Sequence, residues 1–199
     1  MPKIVDEQMR EAMRRRIIRE AASEFARLGF DQANINVIAE QVGIGKGTIY
    51  LYFENKRELF LAMLRQIAQA QLAAIRAALA SRTTMREQLE QLFLAFAQLA
   101  RDERDSFNVY MSALYGVNRA FRTEAVKLLR DYVAVITLIL EQAQKRGEIV
   151  CPDLDATALL VLSLTESYVL SAEVLGYSEK EIEHHALLVA ETILRGISS

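Results

Sequence analysis

Apolar residues recur at helical spacing along most of this chain. Met13, Ile17, Ala21, Phe25 and Leu28 are separated by four, four, four and three positions, which predicts a helix over about 10–28. Gly29 ends it, and residues 1–9 read as a loose arm. A second run, Ile35, Ile38, Ala39 and Val42, stops at Gly43, a residue that adopts the left-handed helix cap without a Cβ clash. Asn34 stands where a side-chain cap belongs. A third segment, 46–53, continues the inward face through Ile49 and Phe53. The small Ala39 lets another helix backbone cross closely. Two short helices joined by a glycine turn form a helix-turn-helix, whose second helix enters the DNA major groove. An ordinary helical hairpin has the same spacing.

The remainder predicts six further helices. The fourth, about 56–80, begins after the cap candidate Asn55 and is too long to belong only to a small domain, so it reads as a link. The others cover about 85–101, 106–115, 118–145, 156–175 and 179–195. They are separated by a break at 81–84, a charged turn at 102–105, and Gly116, Gly147 and Gly176. Asp153 or Asp155 can cap the eighth. Ser178 with Glu181 makes a capping box for the ninth. The fold class is therefore all-α, with about nine helices. Residues 1–55 read as a three-helix DNA-binding domain and 56–199 as a larger helical domain.

Composition supports this. The chain is 52% hydrophobic and 25% charged, with only 2 Pro and 8 Gly, which suits a packed helical protein and opposes disorder. A lone cysteine, Cys151, excludes an internal disulfide framework and fits a reducing cytoplasm. It is either a redox sensor or a plain loop residue. The N-terminus lacks an apolar signal core, and no uninterrupted apolar run reaches the ~18–20 residues of a bilayer span. Thr157 and Ser163 interrupt the nearest, at 156–164. A cytoplasmic location without membrane contact is expected. Net charge is −2, with 10 basic and 9 acidic side chains in residues 1–60 and 14 and 17 beyond. Nucleic-acid binding must therefore rest on particular residues.

Those residues lie in the third segment. With Ile49 inward, Gly45, Lys46, Gly47, Thr48, Tyr50 and Leu51 face outward. Lys46 suits phosphate or guanine acceptors, Thr48 a base edge or thymine methyl, Tyr50 a phosphate, and Leu51 a thymine methyl. Gly47 near a helix start is explained by close approach of backbone to DNA. Tyr52 is either a phosphate contact or a half-buried core residue. Lys56 beside the motif and Asn34 at its start are further phosphate candidates. Arg14, Arg15, Arg16 and Arg19 form either a phosphate-contacting cluster or a solvated face with pairs such as Arg16–Glu20.

The run GFDQANINVIAEQVGIGKGTIYLYFENKRELF resembles the N-terminal domain of TetR-family transcriptional regulators, over about 10–60. The chain departs from that family at Ala33 and Gly45, where Thr or Ser is frequent, and at Leu51, where His is. These positions bear on which operator is read. GTIYLYFENK is also similar to fatty-acid-responsive members, within the DNA-binding half. The resemblance implies a homodimer on a palindromic operator and a small-molecule effector pocket among the fifth to eighth helices. It also implies dimerisation through the eighth and ninth, in agreement with how apolar that hairpin is.

Candidate effector contacts are Phe93, Phe96, Phe107, Tyr110, Met111, Tyr115 and Tyr132. Aromatic stripes at this spacing are more often core, although buried tyrosine hydroxyls need partners. Glu166 follows the apolar half of the eighth helix. It meets a cationic ligand, an arginine or the dimer mate, or is simply part-exposed. The lining suggests a hydrophobic or aromatic effector. His184 and His185 point about 100° apart and cannot easily share a metal. No metal spacing, cofactor motif or catalytic constellation is present, so a non-enzymatic regulator, a repressor, is the leading reading. A helical binding protein or scaffold is the alternative, followed by an enzyme using Glu166 and a tyrosine.

Overall fold

Strong helix formers and short caps determine the architecture. The computed structural model describes residues 2–80, 84–116 and 121–197. Among the described residues there are nine helices and no strand: α1 (Pro2–Gln32), α2 (Ile35–Val42), α3 (Lys46–Ile49), α4 (Lys56–Ala80), α5 (Met85–Asp102), α6 (Arg104–Tyr115), α7 (Arg122–Lys145), α8 (Leu154–Leu175) and α9 (Glu179–Ile197). The chain forms two compact units. One contains Met1–Ala68 and Glu103–Ala125, and the other Gln69–Asp102 and Val126–Ser199.

In the first unit α1 packs on α2 and α6, and α2 packs on α3. Ile17, Ile18, Ala21, Phe25, Ile38, Val42, Ile49 and Phe53 are its buried centre. The grouping places α6 with the DNA-binding helices, because its buried side packs on α1. The structure differs from the sequence reading at two further points. The expected loose arm is helical from Pro2, and α1 bends at Gly29, whose φ of 72° and ψ of 170° leave the helical region. The expected charged turn at 102–105 is a single non-helical residue, Glu103, between α5 and α6. Residues 81–83 and Asn118, the expected start of the seventh helix, lie outside the described residues.

In the second unit α5 packs against α8 and α9. The local stops follow the sequence. The Asp153 carboxylate accepts from Ala156 N at 2.9 Å, and Gly176 closes α8 with a φ of 73°. Ser178 N donates to Glu181 Oε2 at 2.7 Å, and Glu181 N returns to Ser178 Oγ at 3.4 Å. The Ser178 hydroxyl also donates to Glu181 Oε2 at 2.6 Å, and this bond, with the one from Ser178 N, holds the Glu181 carboxyl below its ordinary range. Cys151 is buried, its sulfur 2.9 Å from Thr157 Oγ1 and 3.3 Å from the Asp153 carbonyl.

By length and composition α8 is long and apolar enough to cross a membrane, with a mean hydropathy of 1.5 over 18 residues. A search for an uninterrupted run misses this, because isolated Thr and Ser barely lower the mean. The helix also carries Asp155, Glu166 and Glu173, and it buries Ala158, Val161, Leu162, Thr165, Glu166, Val169 and Ala172 inside the chain.

Candidate nucleic-acid interface

The helix-turn-helix is built by local hydrogen bonds and one apolar face. Asn34 Oδ1 accepts from Asn36 N at 2.9 Å and starts α2. Gly43, at φ 75° and ψ 34°, ends it. The N–H of Gly43 donates to Glu40 O, and that of Ile44 to Ala39 O, which satisfies two terminal carbonyls and turns the chain into α3. A β-carbon at Gly43 would strain this left-handed turn. Four residues cannot sustain a helix alone. The α3 segment is held because Ile49 and Phe53 are buried, each contributing about 1.5–3 kcal/mol.

That inward anchoring leaves a continuous outer face. Gly45, Lys46, Gly47 and Tyr50 are exposed, Thr48 is half-buried, and Leu51 is 73% exposed. An apolar side chain so open beside a lysine and a tyrosine suits the methyl-bearing floor of a major groove. Gly45 caps α3 without a side-chain hydrogen bond. At Gly47 an added β-carbon would meet no described atom within 4 Å. The protein's own packing therefore does not require this glycine. Gly47→Ala is expected to leave the fold intact or raise its stability by up to about 1 kcal/mol, while operator affinity falls. Thermal melts and a binding titration on the same sample check both signs. Tighter binding would overturn the close-approach reading of Gly47.

Tyr52 is half-buried, with the Arg10 guanidinium 6.0 Å from its ring centre. Within the basic cluster, Arg14 lies 5.2 Å from the Phe53 ring centre, and Arg14 and Arg15 both reach Glu11. The anticipated Arg16–Glu20 pair does not form among the described residues. Arg16 and Arg19 are exposed and carry no ion pair there.

Lys56 is placed differently from a simple phosphate ligand. Its Nζ donates to the carbonyls of Asp31 and Ala33, each at 3.0 Å, and stands 4.8 Å from the Phe30 ring centre. Opposite, the buried Glu24 carboxylate accepts from Asn34 N at 3.3 Å and from Arg27 at 2.7 Å. The α1–α2 link is thus held through its carbonyls by a cation and through an N–H by an anion. The Glu24–Arg27 pair has ordinary helical spacing, but the bond to Asn34, ten positions away, carries no sequence signal. A lysine that only positions the motif predicts a distinct signature. Lys56→Gln is expected to weaken operator binding with an unchanged salt slope, whereas loss of a phosphate contact lowers the slope by about 0.9 per contact. Affinity measured across a salt series distinguishes the two.

The proposed effector residues divide between the units. Phe107, Tyr110 and Met111 are buried on α6 in the first. Tyr115 is 61% exposed at the end of that helix, which corrects its assignment to an internal lining. Phe93, Phe96, Tyr132 and Glu166 are buried in the second unit. There burial pushes the Tyr132 hydroxyl well above its ordinary pKa, helped by the negative charges of Glu166 and Asp131. Glu166 is therefore a buried carboxylate beside a buried phenol, and the part-exposed alternative is set aside. Phe93 packs on Tyr168, with ring centres 4.7 Å apart. Tyr168 hydrogen-bonds His185 Nδ1, and the ring of this half-buried histidine lies 5.9 Å from that of exposed His184 at 49°. A separate open cavity of about 480 Å³ lies between α4 and α5, lined by Ala74, Ala77, Gln91, Ala95, Gln98, Leu99 and Asp102. None of the proposed effector residues lines it.

A recognition face raised on a helix-turn-helix at one end of an all-helical chain defines a sequence-specific DNA-binding regulator. The chain matches the model of bacterial regulatory proteins of the tetR family over residues 17–63, and that of the tetracyclin repressor-like C-terminal domain over 82–169. Together these matches cover more than half of it, and the protein belongs to the TetR family of transcriptional regulators. It is 26% identical to the fatty acid metabolism regulator protein of Bacillus subtilis over 67% of this chain and 69% of that one. The fold is shared with the fatty acid degradation regulator FadR of Bacillus halodurans. The TM-score is 0.80 at 21% identity, covering 92% of this chain and 94% of that one. It is also shared with FadR of Bacillus subtilis in complex with stearoyl-CoA, at a TM-score of 0.73, 21% identity, and 90% and 95% coverage.

Proposed function

We propose that the protein is a cytoplasmic repressor that binds a palindromic operator as a homodimer and leaves it when a hydrophobic effector binds. The observation that carries this reading is the outer face of 45–51, exposed and apolar-polar mixed while Ile49 is buried beneath it. Residues 1–55 read DNA in this scheme, and 56–199 bind effector and pair the subunits. Release requires the effector to prefer a conformer in which α4 carries the two recognition helices away from operator spacing.

In this reading the homodimer forms through α8 and α9. Leu160, Leu164, Ser167, Ser171 and Val174 lie on one exposed stripe of α8 at spacings of four, three, four and three. Leu187 and Leu188 are exposed on α9. A contiguous apolar surface of this kind marks an association site, and the serines in the middle allow two helices to cross closely. Among effectors, an acyl thioester is favoured by the relatives named for fatty-acid metabolism, one of them with stearoyl-CoA bound. The buried aromatic and aliphatic residues of the second unit suit its chain. These relatives are regulators, which favours a non-enzymatic role.

Fluorescence anisotropy with DNA from the promoter of the protein's own gene tests the reading. The expected result is specific binding that weakens steeply with salt, and is reversed by long-chain acyl-CoA but not by coenzyme A alone. Absence of specific binding to any promoter fragment would reject the DNA-reading assignment.

A further inference from the structure

We propose that the first unit carries a second small-molecule site, which binds a neutral, planar aromatic compound bearing one hydrogen-bonding edge. The site is a cavity of about 250 Å³ between α1 and α6, with Phe60 of α4 and Phe121 completing its wall. All of its lining belongs to the unit that holds the helix-turn-helix.

The lining specifies the ligand. Phe25, Phe30, Phe60 and Phe121 supply four rings. Phe25 meets Phe60 at 5.0 Å and 82°, and Phe30 meets Phe121 at 4.6 Å and 70°. The wall rings are held edge to face on one another, so they form a fixed aromatic lining of the kind on which a flat ring packs. Ala26 and Gly29 of α1 and Ala113 of α6 also line the space, and these small residues leave the room that larger side chains would fill. No charged side chain is among the lining residues. The two cations that stand 4.8 Å from wall rings, Lys56 at Phe30 and Arg57 at Phe121, already have partners in the Asp31 and Ala33 carbonyls and in Glu124, so a neutral guest loses least on entering. Polar groups come from Asn108 and Ser112, one helical turn apart and both exposed. The amide donates and accepts, and the hydroxyl does either. A cavity of about 150 Å³ already holds benzene, so this one accepts two fused rings.

The lining includes none of Phe93, Phe96, Tyr132 and Glu166, which belong to the second unit. It depends on neither the effector nor the operator assignment. A bound ring would touch α1 and α6 together and so stabilise their packing.

Indole is the probe. Calorimetry and ligand-observed NMR on the full-length protein are expected to show saturable binding of one indole per chain, with a melting temperature that rises with indole concentration. Ala26→Leu narrows the mouth from an exposed position of α1, where leucine is readily tolerated. Ala113→Leu fills the space from α6. Each is expected to weaken binding at least tenfold, and Asn108→Ala several-fold. Hexanol at equal concentration should bind more weakly than indole. Lack of saturation at millimolar indole would overturn the proposal. So would unchanged affinity in Ala26→Leu, whose folding is checked by circular dichroism.

Discussion

Leu160→Asp combined with Leu164→Asp is expected to convert the protein to a monomer at micromolar concentration and to weaken operator binding by about 100-fold or more. Both leucines are exposed in the single chain, at 62% and 51%, and neither belongs to its buried core, so circular dichroism should stay helical. In a paired α8–α9 interface the same residues bring four unpaired carboxylates into an apolar contact, each costing several kcal/mol. The loss of DNA affinity follows from linkage. One half-site binding event no longer holds the second reader at high effective concentration. Sedimentation and anisotropy on one preparation provide both readouts. A dimer that survives the double substitution places the interface elsewhere.

The second large effect belongs to the recognition face. Lys46→Ala, Thr48→Ala and Tyr50→Ala together are expected to abolish specific binding while the melting temperature changes little, since none of the three is buried. A single good base contact contributes about 1–3 kcal/mol of discrimination, and a dimer uses each residue twice. Lys46→Ala alone should lower the salt slope by about 1.8 per dimer if each copy neutralises one phosphate. This contrasts with Lys56→Gln, for which the slope is expected to hold. Unaltered operator binding by the triple variant would show that the 45–51 face is not the reader.

How much of this was legible in the sequence varied with the distance over which each feature is formed. Caps are settled within four residues, and Asn34, Gly43, Asp153 and the Ser178–Glu181 box stand where spacing predicts them. The inward face of Ile38, Val42 and Ile49 is equally local. Lys56 was legible as a basic residue beside the motif, but its carbonyl partners lie 23 and 25 positions away. The aromatic cluster joins Phe25, Phe30, Phe60 and Phe121, which no periodic pattern links. Tyr115 was assigned with its aromatic neighbours on α6. One helical turn past the buried Met111, it stands at the helix end and is mostly exposed. The helical arm from Pro2 carries the same stripe backwards through Met9 and Val5 at spacings of four, a signal that the reading of 1–9 as a loose arm passed over.

The brevity of α3 governs how the protein responds to heat. A reader of four helical residues has no cooperative ladder of its own, so its amides exchange with solvent whenever Ile49 and Phe53 leave their sockets. Such opening requires far less energy than global unfolding. Operator discrimination should therefore decline on warming before circular dichroism registers any loss of helix. Substitutions beneath α3, at Ile38 or Val42, should lower the temperature of that decline without touching a base.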